Sequence, residues 1–320
     1  MYDFEKKFRD EVLRCSNCGF CRAVCPLFGL TKRPAFNARG KMLILKEVMD
    51  GRIDLDDQLV DTLFQCTTCG ACAEQCPSGV NPPEIIKQVR KDMVHNHSCH
   101  PAFEGMYKVL SEHTNIYGED DTEDFERERN RKAAFVYFIG CVGSYREDEA
   151  TLAALDLLDH LKVDYTLIDE VCCSGVLDDV GFRTQTDLAG KNVDLILQTG
   201  AKTVITGCPY CFRTFNDRPA YKTLSDNGIE VIHISQFLKN FDMGVETEKK
   251  VTYHDPCDLG RHCGIYDAPR ETIQKIAPDF VEMRHNRENA LCCGAGGGVR
   301  GAYAKNSIAM ARRRLEEVEE

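Results

Sequence analysis

Two segments of this chain repeat one cysteine spacing that is suited to binding iron. In each segment three cysteines follow at intervals of three residues, a fourth comes four residues later, and a proline follows it. The two runs consist of Cys15, Cys18, Cys21 and Cys25, and of Cys66, Cys69, Cys72 and Cys76. This spacing is typical of 4Fe–4S cubane clusters, with the fourth thiolate of each run ligating the cluster of the other run.

Crossed ligation of this kind predicts two neighbouring cubanes that form an electron relay. The ligands would be Cys15, Cys18, Cys21 and Cys76 for the first cluster, and Cys66, Cys69, Cys72 and Cys25 for the second. Three alternatives are weaker. Disulfides belong mainly to small secreted domains, and the first ten residues do not resemble a signal peptide. A zinc site does not need an eight-cysteine double run, and two cubanes are more than a purely structural role requires.

Five further cysteines form a third set, Cys141, Cys172, Cys173, Cys208 and Cys211. A cubane needs four cysteine ligands, whereas this set offers five, so the spacing alone leaves the kind of site open. The pattern then recurs with three cysteines, Cys257, Cys292 and Cys293. The spacing of the first copy places the missing C-x-x-C pair of the second copy beyond residue 320. We therefore expect the sequence to stop inside its second repeat, the alternative being a degenerate copy that binds no cluster.

The elements that must position these cysteines change character along the chain. Residues 1–115 are rich in strong helix formers and predict an all-helical two-cluster ferredoxin-like domain. Residues 116–132 are mostly polar and charged and predict an acidic linker. Short apolar runs then alternate with amphipathic segments, which favours α/β layers with mostly parallel strands. We expect a first α/β repeat at residues 133–246 and a second, incomplete one at 247–320.

Within the two repeats the individual elements can also be predicted. The expected strands cover residues 134–139, 165–168, 203–206, 231–234 and 251–253, and the expected helices cover 149–162, 184–198, 270–276 and 309–320. The first and last of these strands each end shortly before a cysteine. The glycine-rich segment 294–298 is expected to let backbone approach a cluster site without Cβ clashes.

Composition limits the partners. The chain carries 40 basic and 51 acidic side chains, and this net charge of −11 argues against a nucleic-acid partner. Its longest uncharged apolar stretch, residues 133–143, has about half the roughly 20 residues that span a bilayer. No fingerprint of a flavin or nicotinamide site is visible, so we expect a partner to deliver the electrons.

The chain resembles the cysteine-rich, or CCG-domain, iron–sulfur proteins, and among them the catalytic subunit of heterodisulfide reductase. The resemblance rests on both cubane runs and on the segments YFIGC, CCSG, GCPYC, HDPC and CCGAGGG, which begin at Tyr137, Cys172, Gly207, His254 and Cys292. The iron–sulfur subunits of glycolate, lactate and anaerobic glycerol-3-phosphate dehydrogenases are built similarly. Ser174 stands where the family usually has glycine, and we expect ligation to be unaffected because the thiolates are intact.

The resemblance implies that the five cysteines of the first repeat bind a noncubane 4Fe–4S cluster. A second such site at Cys257, Cys292 and Cys293 would require chain beyond residue 320. The implied activity is reduction of a small disulfide to two thiols, with electrons crossing the cubanes to the noncubane site. His254 is a candidate proton donor because histidine titrates near neutrality, the alternative being a buried histidine bonded to backbone.

The resemblance also implies an electron-donating partner, either a soluble flavoprotein complex or a haem-bearing membrane subunit. The expected location is the cytoplasm, with peripheral membrane attachment if the partner is the membrane subunit. The rival function is a relay subunit with no substrate of its own, carrying electrons from a flavin dehydrogenase to quinone. The intact five-cysteine set favours disulfide chemistry, because a relay needs only cubanes.

Overall fold

The computed structural model describes residues 1–120, 125–183 and 186–319. Every regular element up to residue 120 is helical, as the sequence predicted. These elements are α1 (Asp3–Arg14), α2 (Phe20–Val24), α3 (Pro26–Thr31), α4 (Ala38–Met49), α5 (Val60–Phe64), α6 (Ala71–Glu74), α7 (Pro82–His95) and α8 (Pro101–His113), with short 3-10 helices at Pro34–Phe36 and Asp57–Leu59.

Helix α7 is central to this helical part. Asn81 and two prolines begin it, and proline suits a first helical turn because its φ is already helical and its missing N–H would have had no partner. The apolar face of α7 consists of Ile85, Ile86, Val89 and Met93, all fully buried. It packs with Phe4 of α1 and Leu45 of α4 in one core. Burial of each such side chain contributes about 1.5–3 kcal/mol.

A four-stranded parallel sheet follows, with its strands in the order β2-β1-β3-β4. The strands are β1 (Phe135–Phe138), β2 (Tyr165–Thr166), β3 (Thr203–Thr206) and β4 (Glu230–His233). The helices around them are α9 (Cys141–Tyr145), α10 (Asp148–His160), α11 (Gly175–Asp179), α12 (Thr186–Thr199), α13 (Pro209–Asp217), α14 (Lys222–Asp226) and α15 (Ile234–Leu238), with a 3-10 helix at Pro219–Tyr221. The expected α/β layers with parallel strands are therefore confirmed for this part of the chain.

Both faces of this sheet are covered, as parallel sheets require. Val136, Phe138 and Val204 belong to one buried cluster and Tyr137 and Ile205 to another, so neighbouring strand positions point to opposite sides. Ligand sites of such sheets lie beyond the carboxyl ends of the strands. The cysteines of the first repeat occupy that edge, because they follow the ends of β1, β2 and β3.

The second repeat departs from the expectation. Its described residues contain helices α16 (Asp267–Gln274), α17 (Val299–Ala302) and α18 (Ala304–Glu319) and a 3-10 helix at Arg287–Asn289, but no strand. The predicted strand at residues 251–253 is wrong, since Val251 makes only an isolated bridge with Phe280. A strand is stabilised by a ladder of neighbours, and one residue pair does not provide it. Helices are thus the only regular elements among the described residues of the second repeat.

Several predicted helix limits need small corrections. The helix expected at residues 270–276 begins three residues earlier at Asp267, and the one expected at 309–320 begins at Ala304. Residues 184, 185 and 320 of the predicted helices lie outside the described residues, as do residues 121–124 of the predicted linker. No helix in the described part of the chain combines the length and apolar character needed to cross a bilayer.

Arg90 of α7 joins the helical part to both repeats. Its guanidinium is fully buried and donates to the carbonyl of Cys66 at 2.6 Å, of Asp179 at 2.8 Å and of Gly297 at 3.2 Å. The side chain also donates to the carbonyls of Leu63 and Phe64. These oxygens come from the second cysteine run, the first repeat and the second repeat. One side chain therefore ties together the three parts of the chain that carry cysteines.

Candidate iron–sulfur centre

The structure brings the first predicted set of cubane ligands together. Cys15, Cys18, Cys21 and Cys76 line one small cavity, which Cys72 also reaches. Asn17 and Gly19 have positive φ angles of 59° and 90°, which fold the loop tightly around the sulfurs. Cys18 is exposed, so this set lies at the surface.

The second predicted set lines a neighbouring cavity. Cys25, Cys66, Cys69 and Cys72 face it, and the side chain of Lys41 lies among them. Burial raises the pKa of Cys25 to about 11 and the pKa of Cys72 well above its usual value. The thiols of Cys25 and Cys72 are therefore costly to ionise here unless a metal binds them, because a coordinating thiol is deprotonated outright.

Lys41 tests whether these residues fit an anionic metal cluster. Its side chain is 2% exposed and donates to the Phe36 carbonyl at 2.6 Å, and burial lowers its pKa. In the described residues it forms no ion pair with a carboxylate. A buried ammonium without a counter-ion is strongly unfavourable. The thiolates of Cys25, Cys66 and Cys72 are the anions that favour its charged form. The residues fit an iron–sulfur cluster held by thiolates.

The five cysteines of the first repeat also converge. Cys211 donates to Cys173 with 3.5 Å between their sulfurs, and Cys172 hydrogen bonds with Cys141. Cys208 begins α13, where its sulfur accepts the backbone N–H of Cys211 at 3.5 Å. Hydrogen bonds from its two neighbours hold the pKa of Cys173 well below its usual value, whereas sharing protons raises the pKa of Cys172. This donor set is soft, sulfur-only and suited to iron.

The residue after each adjacent cysteine pair is held in the same way in both repeats. Ser174 has a φ of 56° and Gly294 a φ of 86°. The N–H of Ser174 donates to the sulfur of Cys172 at 3.4 Å, and that of Gly294 to Cys292 at 3.3 Å. The left-handed conformation explains why glycine suits this position. Ser174 keeps the geometry, but its buried hydroxyl has no partner among the described residues.

Asn192 was visible in the sequence only as part of a repeated Lys-Asn pair, and the structure gives it a positioning role. It is fully buried and exchanges two hydrogen bonds of 2.9 Å with the backbone of Val171. It also donates to the hydroxyl of Tyr221, which in turn donates to the carbonyl of Cys173. Asn192 therefore fixes the backbone on which the adjacent cysteines lie.

A cleft of about 490 Å³ opens in front of two of these cysteines. It is lined by Cys141 and Cys172 and by the side chains of Tyr145, Glu170 and Lys191, among others. Glu170 accepts the N–H groups of Ile139 at 2.9 Å and Gly140 at 2.6 Å, and burial raises the pKa of its carboxyl to about 8. Sequence reasoning missed Glu170, although an acid two residues before the cysteine pair was the available signal.

The cysteines of the second repeat lie against the second cubane run. Cys292 donates to Cys69 and lowers the pKa of that thiol to about 5, and its sulfur lies 3.5 Å from the hydroxyl of Thr67. Cys257 is partly buried and packs against the cluster that Cys69 and Cys292 form with Ala71. A hydrogen bond from Cys292, supported by His254, lowers the pKa of Cys293 to about 4. No pattern in the sequence indicated this contact.

The glycine-rich segment explains how the second repeat approaches so closely. A Cβ added at Gly296 would lie 2.6 Å from the carbonyl oxygen of Thr67, and one added at Gly297 would lie 2.5 Å from that of Cys66. Any larger residue would push the two backbones apart. The glycines therefore let this backbone approach another without Cβ clashes, as expected, and the backbone that it approaches is that of the second cysteine run.

His254 lies in a different place from the five-cysteine set. It contacts Cys293, and its Nδ1 accepts a hydrogen bond from Nε of Arg314 at 3.0 Å. The bond fixes the tautomer, leaving any ring proton of the neutral imidazole on Nε2. Its described contacts include none of the first-repeat cysteines. A proton from His254 would therefore serve the second repeat.

Comparison with known proteins identifies the same two kinds of cysteine-bearing domain. A family model described as a 4Fe-4S dicluster domain matches residues 11–80, and one described as a cysteine-rich domain matches residues 135–216 and 251–320. A solved structure of a hypothetical protein from Helicobacter pylori shares the fold, with a TM-score of 0.56, 11% identity, and coverage of 99% of this chain and 66% of that one.

Two relatives share more of the sequence. The dihydromethanophenazine:CoB–CoM heterodisulfide reductase of Methanosarcina acetivorans has a D-type subunit that is 31% identical, over 96% of this chain and 83% of the relative. The corresponding protein of Methanosarcina barkeri is 30% identical with the same coverage. The chain therefore belongs to the family of heterodisulfide reductase D subunits, iron–sulfur proteins that combine a dicluster domain with cysteine-rich domains.

Proposed function

We propose that this chain is the iron–sulfur catalytic subunit of a heterodisulfide-type reductase. The reaction joins one disulfide, two electrons and two protons to give two thiols. The observation that carries the proposal is the convergence of five cysteines, two of which line an open cleft, in a chain that is similar to heterodisulfide reductase subunits over most of its length. A relay alone would not require a fifth sulfur or a cleft.

The proposed ligand sets follow the observed groupings. Two cubanes would be held by Cys15, Cys18, Cys21 and Cys76 and by Cys66, Cys69, Cys72 and Cys25, and a noncubane cluster by Cys141, Cys172, Cys173, Cys208 and Cys211. When bound, these clusters supply single electrons, two of which are needed for each disulfide. Cys257, Cys292 and Cys293 would form part of a second noncubane site if further ligands complete it.

The contacts of the second cysteine run support an order for the electron path. The surface position of Cys18 makes the first set the entry point. The second set is more buried and touches both repeats, through Cys292 next to Cys69 and through the hydroxyl of Thr68, 3.5 Å from a carboxylate oxygen of Asp179. These contacts support a path in which electrons pass from the first set through the second set to the cysteines of the first repeat.

The residues of the cleft have distinct proposed roles. Glu170 holds the turn that carries Cys141, since its carboxylate accepts two consecutive backbone N–H groups there. Tyr145 and Lys191 line the space in which a small disulfide would lie. The electrons would come from a partner subunit, in keeping with the multi-subunit enzymes that the relatives' names describe.

An anaerobic assay tests the proposal. The purified protein is reduced with a dye and mixed with an asymmetric disulfide, and released thiols are counted. We expect two thiols per disulfide, and loss of turnover in the double variant Cys173→Ser/Cys208→Ser. Cys99→Ser is the matched control, because Cys99 belongs to none of the cysteine sets. Undiminished turnover in the double variant would refute the catalytic reading, and absence of turnover in the unaltered protein would favour the relay.

A further inference from the structure

A stretch of 35 residues around the first cubane set contains no acidic side chain. Residues 12–46 include Arg14, Arg22, Lys32, Arg33, Arg39, Lys41 and Lys46, but neither Asp nor Glu. The chain as a whole has a net charge of −11. This stretch therefore carries a local positive charge, whereas the chain as a whole is negatively charged.

Two of these arginines lie close to the loop that carries Cys18. Measured from the position of a Cβ added at Gly19, a guanidinium nitrogen of Arg39 lies 3.5 Å away and Cδ of Arg22 lies 3.6 Å away. Arg22 also stacks over the ring of Phe28, with its guanidinium 5.0 Å from the ring centre. Both side chains thus lie beside Gly19, the residue that follows the exposed Cys18.

The charges of Arg14, Arg22 and Arg39 are not neutralised within the described part of the chain, where none of the three forms a salt bridge. Some arginines elsewhere are paired, such as Arg213 with Asp258 at 2.8 Å and Arg270 with Asp255 at 2.7 Å. The arginines around Cys18 keep their charge available to a partner. Charges left free in this way attract oppositely charged proteins over long range.

Apolar side chains accompany these cations. Phe20, which lies between Cys18 and Cys21 in the sequence, is 60% exposed, and Leu13 is 50% exposed. Aromatic residues and arginine are both enriched at protein–protein interfaces. We call the surface formed by Leu13, Arg14, Cys18, Phe20, Arg22 and Arg39 the basic entry face.

We propose that the basic entry face is the docking surface for an acidic electron-carrier protein. This inference rests on the proposed function, in which the chain receives electrons at the first cluster set. Each encounter would oxidise the carrier by one electron and reduce the chain by one, so two encounters supply one disulfide. A protein carrier fits better than an anionic membrane, because the large excess of acidic groups elsewhere would repel an extended anionic sheet.

The experiment measures binding of an oxidised, strongly acidic bacterial-type ferredoxin to the full chain by calorimetry at low and high salt. The test variant is Arg22→Glu/Arg39→Glu. The control, Lys108→Glu/Lys222→Glu, makes the same charge change at two exposed positions on α8 and α14. We expect the test variant to bind about 10-fold more weakly or worse at low salt, the control to stay within about twofold, and high salt to remove the difference.

Two further measurements keep the outcome interpretable. Iron content and visible absorbance establish that the variants retain their clusters, and the neutral pair Arg22→Gln/Arg39→Gln should give a smaller loss of the same sign. Equal weakening in test and control variants would overturn the proposal, as would affinity that does not respond to salt. A third outcome would also overturn it: the unaltered protein binds anionic vesicles, the test variant does not, and both bind the ferredoxin equally well. Dye-driven thiol release does not use the carrier, so its failure would count against the proposed function alone.

Discussion

The sulfurs of Cys173 and Cys211 lie 3.5 Å apart, although 38 positions separate these residues in the sequence. The adjacent cysteine pair follows β2 and the C-x-x-C pair follows β3, and the parallel sheet brings both strand ends to one edge. Two pairs that are remote in sequence can therefore serve one metal site. Cys141, which follows β1, completes the set.

Removing one member of this set should remove one cluster. In Cys211→Ser we expect the iron content to fall by about one four-iron cluster relative to the unaltered protein, because a hydroxyl is a poor ligand for iron in a thiolate site. Iron analysis and Mössbauer spectra of anaerobically purified protein measure the change. Cys99→Ser should keep the full content. Equal iron in both variants would show that Cys211 is not a ligand.

Replacing Lys41 should shift one cubane potential. Lys41→Met removes a buried positive charge beside Cys25, Cys66 and Cys72, so the reduced, more negative form of the second cluster loses stabilisation. A charge at this range is worth about 1–3 kcal/mol, which corresponds to a lowering on the order of 100 mV for one electron. Redox titration followed by paramagnetic resonance measures it. Lys108→Met, at an exposed site, should leave both potentials within error, and an unshifted potential in Lys41→Met would contradict the assignment.

Replacing Arg90 should destabilise the contact between the three cysteine-bearing parts of the chain. Arg90→Met leaves the carbonyls of Cys66, Asp179 and Gly297 buried without this donor. We expect the free energy of unfolding to fall by about 3 kcal/mol or more, since each unsatisfied buried group costs about 1–3 kcal/mol. Thermal melting under anaerobic conditions reports the change. Arg52→Met removes an exposed arginine and should lower the free energy of unfolding by less than about 1 kcal/mol. Similar losses of stability in the two variants would argue against the linking role of Arg90.

His233 should make stability depend on pH. It is buried, its Nε2 lies 3.1 Å from the carbonyl oxygen of Gly207, and burial lowers its pKa to about 4. In the unfolded chain this histidine is protonated below about pH 6.5, whereas in the folded chain it stays neutral down to about pH 4. The free energy of unfolding is therefore highest above pH 6.5 and decreases as the pH falls towards 4. The expected slope is about 1.4 kcal/mol per pH unit in that window. Melting at pH 5 to 7.5 should show a shallower slope for His233→Asn, and an unchanged slope for the exposed control His160→Asn.

Ser174→Gly should stabilise the first repeat slightly. The substitution removes a left-handed non-glycine residue with a φ of 56° and a buried hydroxyl that has no partner among the described residues. We expect a gain of about 0.5–1 kcal/mol in the free energy of unfolding. Melting curves measure it, with the solvent-exposed Ser225→Gly as a comparison that should be destabilised inside α14. A loss of stability in Ser174→Gly would mean that the hydroxyl contributes a bond.

The sequence allowed the helices of the first 115 residues and the four strands of the first repeat to be predicted, because these follow from short-range patterns. Strand β3 has the predicted limits, residues 203–206, and the two crossed cubane sets line separate cavities. Lys41 and Arg90 could not be identified, since a charged residue on a helix normally indicates a solvated face and only tertiary packing buries it. The contact of Cys292 with Cys69 depends on how the second repeat docks, which no local pattern encodes.

The most direct test is a crystal structure of anaerobically purified protein, with anomalous maps recorded on both sides of the iron edge. The account predicts iron density bounded by the sulfurs of Cys141, Cys172, Cys173, Cys208 and Cys211, next to the cleft and separate from two cubanes. Zinc at that position, S–S bonds among the five cysteines, or a third ordinary cubane with one sulfur left over would contradict it.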